Sequence, residues 1–124
     1  MSDFRNDTRF RSVERLRKRH QFRHVERRQY RFAGRDLIIY VRENDLDWSR
    51  LGLTVTRKVG AAPARNRWKR RLRAIFRNEK GQIPSGIDIV AIVKRGDRPE
   101  PAFSELSQEF IELVSDAHAR SPKQ

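Results

Sequence analysis

The sequence predicts a single α+β domain in which helices pack on one mixed sheet. Apolar runs of strand length alternate along the chain with segments whose apolar residues recur at helical spacing. The length of 124 residues suits one domain with one modest core, and no Gly/Ser-rich or Pro-rich linker divides the chain. We therefore expect residues 15–117 to form the domain, between a disordered extension over 1–14 and a flexible tail over 118–124.

The first half of the domain is predicted to contain a short helix and two strands. Leu16 to Arg31 is a sparse helical segment in which Phe22 and Val25 lie three residues apart. Leu37 to Val41 is an apolar, β-branched and aromatic run, which predicts a strand buried on both faces. After a polar loop, apolar residues from Leu51 to Val55 alternate with small or polar ones, which predicts a half-buried second strand.

The second half is predicted to contain a long helix, a strand and a closing helix. Pro63 suits a first helical turn, and apolar residues from Trp68 to Phe76 recur at helical spacing until a polar exit at Asn78. Ile87 to Val93 is another continuous apolar run and predicts a buried strand. The segment from Ser104 to about Ala117 is predicted to form an amphipathic helix, whose apolar stripe also includes Phe103.

The charge balance indicates a polyanionic partner. The formal net charge is +13 and the sequence pI is near 11.4, so contact with nucleic acid would relieve the self-repulsion of the chain. No apolar run approaches the roughly 18 residues that span a bilayer, and we expect a cytoplasmic protein with no membrane partner. With no cysteine and only three histidines, the chain offers no disulfide and a poor ligand set for structural zinc.

The basic residues of the central helix concentrate on one side, which we name the basic face. It consists of Arg65, Asn66, Lys69, Arg70, Arg73 and Arg77. At about 100° per residue these positions form a ridge beside the apolar stripe of the same helix. Like charges at i, i+4 each destabilise an isolated helix by roughly 0.2–0.5 kcal/mol, so tertiary packing must compensate for them. Ordinary solvated faces mix both signs, whereas the segment from Arg65 to Arg77 contains no acid. We therefore interpret the basic face as a phosphate-binding surface.

Arginine outnumbers lysine on the basic face, which favours folded RNA as its ligand. A guanidinium holds a phosphate through two hydrogen bonds or stacks on a base, whereas an ammonium acts as a point charge. Two roles are open for Asn66. Its amide can contact a base edge or a sugar hydroxyl, or it can cap the start of the helix.

Several strings of the sequence stand in the order and approximate spacing of a known family. They are Leu16-Arg-Lys-Arg-His-Gln-Phe22, Gly34-Arg-Asp-Leu-Ile-Ile-Tyr-Val41, Leu51-Gly-Leu-Thr-Val55, Arg57-Lys-Val-Gly60, Ala64-Arg-Asn-Arg-Trp-Lys-Arg-Arg-Leu-Arg73, Phe76-Arg77 and the strand from Gly86 to Val93. Across roughly residues 14–115, the chain thereby resembles the protein subunit of bacterial ribonuclease P.

The resemblance implies a fold of helix, three strands, helix, strand and helix. It also implies a left-handed crossover around the central helix, as in the second domain of ribosomal protein S5. The periodicity of the sequence indicates only two strands before the central helix. We therefore place the third strand by splitting the segment from Trp48 to Val59, as the family's count requires.

The resemblance also implies a division of labour with RNA. In that family a catalytic RNA with bound Mg²⁺ hydrolyses precursor tRNA, and the protein contacts both this RNA and the 5′ leader of the substrate. The chain is then expected to carry no catalytic residue and no metal of its own, to bind one catalytic RNA and precursor tRNA, and to need no further protein partner. The positions that match contacts with the catalytic RNA are Arg57, Lys58, Arg65, Asn66, Arg67, Lys69, Arg70 and Arg73. Arg77 is added to the predicted RNA contacts because it belongs to the basic face.

Two aromatic positions match a family cleft for the single-stranded leader. Phe22 and Tyr40 stand there, and a ring that stacks on a base contributes about 1–3 kcal/mol per base. Core packing is the alternative for both residues. The family's second aromatic, four residues beyond Phe22, is replaced by Glu26, whose carboxylate would repel leader phosphates. Phe32 is a candidate for the missing ring, and we interpret Trp68 as a core residue.

Two other functions fit parts of the sequence. A structural RNA-binding protein of the ribosomal type would have the same size and charge. A protein-only nuclease would need carboxylates that hold Mg²⁺, but the candidates show no paired spacing that would build a two-metal site. These candidates are Asp36, Glu43, Asp45 and Asp88. The arginine-rich helix and the family-like strings favour a ribonucleoprotein subunit over both.

Overall fold

A computed structural model describes residues 9–27, 30–94 and 99–120, so the first eight residues of the predicted extension and the last four of the predicted tail lie outside the described part. The helices and strands are α1 (Arg19–Glu26), β1 (Arg31–Ala33), β2 (Leu37–Glu43), β3 (Arg50–Thr54), α2 (Ala62–Asn78), β4 (Ile87–Val93) and α3 (Phe103–Arg120). The predicted order of helix, three strands, helix, strand and helix is confirmed.

The four strands form one mixed sheet in the order β1-β2-β4-β3. β2 is antiparallel to both β1 and β4, whereas β3 is parallel to β4. Parallel neighbours cannot be joined by a tight turn, and α2 provides the crossover between β3 and β4. The left-handed sense of that crossover stays a prediction. This topology leaves β3 at an edge of the sheet.

The third strand does not lie where it was predicted. Splitting the segment from Trp48 to Val59 was wrong, because Arg57–Val59 forms a 3-10 turn. The additional strand is β1, which pairs with β2 as the other edge of the sheet. β1 has three residues and turns only Phe32 towards the main core, so no alternation was available to reveal it.

Side chains cover the sheet on both faces. Alternate residues of β2 and β4 pack with α2 and α3 in the main core, and the opposite face packs with α1 in a smaller cluster. β4 is buried on both faces as predicted. The same prediction for β2 was wrong, because every second side chain is only half-buried on the side of α1, a helix of eight residues. None of the described helices combines the length and the apolar character needed to cross a bilayer.

The domain begins earlier than predicted. Within the expected disordered extension, Phe10 packs edge to face on a core ring of α2, with ring centroids 5.4 Å apart. Glu14 is 1% exposed and forms an ion pair with Lys80. Residues 10–14 therefore belong to the folded domain, because they provide both an apolar and an ionic anchor. At the other end, α3 continues to Arg120, three residues into the predicted tail.

Candidate nucleic-acid interface

α2 exposes the basic face along one flank. The apolar stripe beside it is buried, which confirms the interpretation of Trp68 as a core residue. The exposed members of the basic face are Asn66, Arg70, Arg73 and Arg77, and the members half-buried at the margin of the stripe are Arg65 and Lys69. Within residues 9–27, 30–94 and 99–120, no carboxylate forms an ion pair with any of these six side chains. The charge of the basic face is therefore available to an external anion.

The turn into α2 fixes one end of the basic face. Gly60 has a φ of 155°, a conformation that favours glycine, and its carbonyl accepts a hydrogen bond from Arg65 Nε at 3.2 Å. α2 begins at Ala62 without a side-chain cap. Asn66 therefore lies beyond the first turn with its side chain exposed, and the capping role considered for it was wrong. Contact with a base edge or a sugar hydroxyl stays a prediction.

Two arginines of α2 lie on the other flank and are held by the chain itself. Arg67 Nη2 donates to Glu100 Oε2 at 2.6 Å. Arg71 Nη1 lies 3.7 Å from Glu100 Oε1 and donates to the Pro101 carbonyl at 2.9 Å. The hydrogen bond from Arg67 lowers the pKa of the Glu100 carboxyl and raises the pKa of Arg67. Arg67, a predicted RNA contact, is therefore paired with a carboxylate in the free protein.

Arg57 and Lys58 extend the basic surface beyond α2. Both side chains are exposed on the 3-10 turn between β3 and α2, and this turn contacts α2. The structure thus brings two of the predicted RNA contacts next to the first turns of the helix that carries the other seven. Phosphate groups that approach this end of α2 meet charge from both elements.

A groove lies between α1 and α2 beside the edge strand β3. Its outer part has a volume of about 500 Å³ and its inner part about 290 Å³. Arg17, Phe22, Leu53 and Lys69 line both parts, so the two parts adjoin. The groove therefore joins one side of the basic face to an aromatic ring and an apolar side chain. That combination of charge and flat apolar surface suits single-stranded nucleic acid.

Phe22 reaches the groove because Gly52 has no side chain. A β-carbon at Gly52 would lie 2.6 Å from Phe22 Cζ, so the ring rests on the backbone of β3 at a distance that only glycine permits. Phe22 is half-buried, packs on Val25 and Val90, and still lines both parts of the groove. Packing and exposure to the groove thus coexist at this residue.

Tyr40 belongs to the same small cluster as Phe22. It lies on β2, is half-buried, and is not among the residues that line the groove. Core packing accounts for its position, and its contact with a leader stays a prediction. Glu26 is half-buried in the outer part of the groove, where Arg19 and Arg23 also line the wall. The carboxylate thus stands among cations.

Phe32 does not supply a second ring to the groove. In the register of β1 and β2 it pairs with Ile39, whose side chain is buried in the main core. Phe22 packs on the other face of the sheet, so the substitution suggested for the missing aromatic was wrong. The Phe32 ring instead lies 5.8 Å from the guanidinium carbon of Arg120.

The acidic residues considered for a nuclease do not come together. Asp88 is 4% exposed and accepts hydrogen bonds from Arg50 Nε at 2.8 Å and from Nη2 at 2.7 Å. The Asn44 amide donates to the same carboxylate at 2.9 Å. The hydrogen bond to Asp88 raises the pKa of Arg50, so the pair is a neutralised structural unit. Over the part of the chain that the structure describes, no three His, Asp or Glu side chains gather as metal ligands would.

Sequence reasoning missed the N-terminal wall of the groove. Phe10, Arg15 and Arg17 line its inner part opposite Lys69 and Arg73. Their segment was assigned to a disordered lead-in and a sparse helix, since polar residues dominate it. The available signal was Phe10 itself, a large apolar side chain in a polar stretch.

Comparison of the sequence with known proteins points to one family. The Ribonuclease P family profile matches residues 10–118. The ribonuclease P protein component of Syntrophomonas wolfei is 38% identical over 103 residues, which cover 83% of this chain and 86% of that protein. The ribonuclease P protein component of Thermotoga maritima is 41% identical over 97 residues, which cover 78% and 75% respectively.

Comparison of the fold gives the same result. The RNase P protein from Thermotoga maritima superimposes with a TM-score of 0.72 at 36% identity, over 82% of this chain and 94% of that one. The RNase P protein of Staphylococcus aureus superimposes with a TM-score of 0.73 at 26% identity, over 84% and 94%. Sequence and fold therefore agree on the relatives of this chain.

Proposed function

The chain belongs to the ribonuclease P protein family, whose members are protein components of that enzyme, and we propose that its basic face binds the catalytic RNA. The proposal comprises a one-to-one complex with this RNA, a cytoplasmic site of action, and contact between the groove and the 5′ leader of precursor tRNA. The proposed contacts with the catalytic RNA are Arg57, Lys58, Arg65, Asn66, Arg67, Lys69, Arg70, Arg73 and Arg77.

One observation carries the proposal, namely an outward basic face without carboxylate partners among the described residues. A chain that keeps several guanidiniums unpaired on one helix loses helix stability to their repulsion. RNA recovers that loss, because each neutralised phosphate releases a condensed counterion. Arg65, already held by the Gly60 carbonyl, loses less side-chain freedom when it binds.

The groove supports the leader contact. A single strand places its phosphates and bases on opposite sides, and the groove offers Lys69 and Arg73 on one wall and the Phe22 ring on another. Stacking on Phe22 would tolerate any base, which suits leaders of differing sequence. The ion-rich surroundings of Glu26 reduce the repulsion expected from its carboxylate, since Arg19 and Arg23 line the same part of the groove.

The hydrolytic step is assigned to the RNA partner. Two observations on the described residues support this assignment: no three potential metal ligands gather at one point, and the buried carboxylate of Asp88 is held by Arg50. The proposal therefore places the catalytic ions on the RNA, and the protein binds and orients the two RNAs.

Reconstitution of the holoenzyme tests the proposal. With the matching catalytic RNA at low Mg²⁺, adding the protein is expected to raise the rate of precursor tRNA cleavage severalfold, because its cations replace ions that would otherwise screen RNA–RNA repulsion. Mature tRNA serves as the comparison ligand and should bind the holoenzyme more weakly than the precursor. A structural protein of the ribosomal type would leave the rate unchanged and would not distinguish the two tRNAs.

Breaking the Arg67–Glu100 ion pair is predicted to strengthen RNA binding rather than weaken it. Glu100→Gln is expected to increase affinity for the catalytic RNA by about twofold to fivefold, because phosphate no longer competes with the carboxylate for Arg67. The same release is expected in wild-type protein as the pH falls through the lowered pKa of Glu100, since protonation of that carboxyl ends the ion pair. Glu105→Gln, an exposed change on α3, is the matched control. Equal affinities for both variants, measured by filter binding at fixed salt, would remove Arg67 from the proposed contacts.

A further inference from the structure

Arg15 stands in the inner part of the groove with an unused hydrogen-bond donor. Its Nε is buried and has no hydrogen-bond partner among the described residues. Its guanidinium carbon lies 4.6 Å from the centre of the Phe10 ring, which holds the group in place from one side. Because buried N–H groups are nearly always hydrogen-bonded in folded proteins, this donor requires an acceptor that the described residues do not supply.

The surroundings of Arg15 define the charge of that acceptor. Arg17, Lys69 and Arg73 line the same cavity, and none of the acidic residues that the structure describes does. Burial lowers the pKa of Arg73, and the positive charge of Arg15 lowers it further. The two guanidiniums therefore repel each other in the free protein. An anion between them would remove this repulsion and satisfy the buried donor.

Backbone pairing with β3 positions Arg15 at the cavity. The Leu16 amide donates to the Leu51 carbonyl at 3.0 Å, and Arg15 forms a parallel bridge with Leu51. This pairing fixes the backbone of Arg15 at the edge of β3, and the Phe10 ring contacts its guanidinium. Leu51 and Leu53 of β3 line the cavity as well, and their apolar surface lowers the local polarity, which strengthens charge-assisted hydrogen bonds there.

We propose that the inner part of the groove binds one phosphate group of RNA, with Arg15 and Arg73 as hydrogen-bond donors and Lys69 as a further counter-charge. The inference rests on the proposed RNA-binding function and adds to it a residue outside α2. A phosphodiester of the leader and a phosphodiester of the catalytic RNA offer the same chemistry. The cavity of about 290 Å³ accommodates the phosphate, and the outer part of the groove continues the path of the strand.

Inorganic phosphate is the first probe. In NMR spectra of the full-length protein, the Arg15 Nε–H signal is expected to shift saturably as phosphate is added at constant ionic strength. Arg120 provides an internal control, because its guanidinium also lies above a phenylalanine ring but on α3, away from the groove. If the Arg15 and Arg120 signals shift alike and without saturation, the cavity has no specific phosphate site and the inference is wrong.

RNA binding is the second probe and separates the two sources of phosphate. Arg15→Gln is compared with Arg120→Gln for affinity to the catalytic RNA alone and for affinity of the holoenzyme to precursor tRNA with and without its leader. A loss of about fivefold or more towards the catalytic RNA assigns the phosphate to that RNA, and the same loss only with the leader present assigns it to the leader. Losses within twofold of Arg120→Gln in every arm overturn the inference. That result would not decide whether the basic face binds RNA, which is tested separately by substitutions on α2.

A structural effect of the substitution is distinguished by a second variant. Arg15→Lys keeps the positive charge but lacks the Nε donor, so it is expected to bind RNA more weakly than wild type at an unchanged melting temperature. Equal affinity of Arg15→Lys and wild type would show that the donor is not used, which contradicts the inference even if Arg15→Gln does not fold.

Discussion

Replacing Arg70 and Arg73 together by alanine is expected to weaken binding to the catalytic RNA by about 10- to 100-fold at low salt. Both side chains are exposed on the basic face, and neither is paired with a carboxylate among the described residues. Each lost phosphate contact should reduce the slope of log K against log salt by about one unit, so the double variant loses about two. Affinity measured across a salt series gives both quantities.

The same variant should not lose stability, which separates a binding effect from misfolding. Alanine is the best helix former, and the substitution removes the like-charge neighbours Lys69–Arg73 and Arg73–Arg77 on an exposed helix flank. We therefore expect an unchanged or slightly higher melting temperature together with the weaker binding. Arg120→Ala, on α3, is the control for loss of an arginine from the surface. A salt slope equal to that of wild type would mean that RNA meets another surface.

The parts of the fold and site that could be predicted from sequence are those set by local pattern. Helical spacing in α2 assigned both its buried stripe and its basic face, because rotation along one helix fixes which side chains share a flank. β4 was predictable for a similar reason, since a continuous apolar run fits a strand covered on both faces. In such elements the local pattern of apolar and polar residues is sufficient to predict which side chains are buried, without knowledge of distant contacts.

The parts that could not be predicted depend on contacts between distant residues. Glu100 pairs with Arg67 across 33 positions of sequence, and no local sequence pattern around either residue predicts this ion pair. The Phe22 ring can pack on β3 only because Gly52 has no side chain. The sequence spacing around Phe22 indicated only that this residue lies on a helix. β1 was too short for a period to appear, so the face of Phe32 followed only from its register with β2.

The buried ion pair of Glu14 and Lys80 is the clearest such contact, and breaking it gives the second large prediction. Their side chains are 1% and 5% exposed, with Nζ 2.8 Å from Oε2. Glu14 Oε1 also accepts the Arg11 amide at 2.7 Å, so the carboxylate is fully used. Glu14→Gln is expected to lower the free energy of unfolding by about 3–5 kcal/mol, because the ammonium stays buried without its counter-charge. Chemical denaturation followed by circular dichroism measures this loss.

A double-mutant cycle distinguishes an unpaired charge from lost packing. If the cost comes from the buried ammonium, adding Lys80→Met to Glu14→Gln should restore part of the stability, and the two single changes will not add. Arg50 and Asp88 provide a comparison pair that is more exposed on the arginine side, since 25% of the Arg50 side chain is exposed to solvent. Additive losses at Glu14 and Lys80 would instead indicate that shape alone is required there.

The position of the pair links its loss to the groove. Lys80 follows α2, whereas Glu14 directly precedes Arg15, so the ion pair attaches the N-terminal wall to the end of the helix that carries the basic face. Without it, the Leu16 amide, which donates to the Leu51 carbonyl, should exchange with solvent faster than the amides of β4. Equal acceleration of both would mean that the whole domain has lost stability rather than this wall. Selective acceleration would mean that the wall opens by itself, and the groove would then lose its inner part while α2 still presents the basic face.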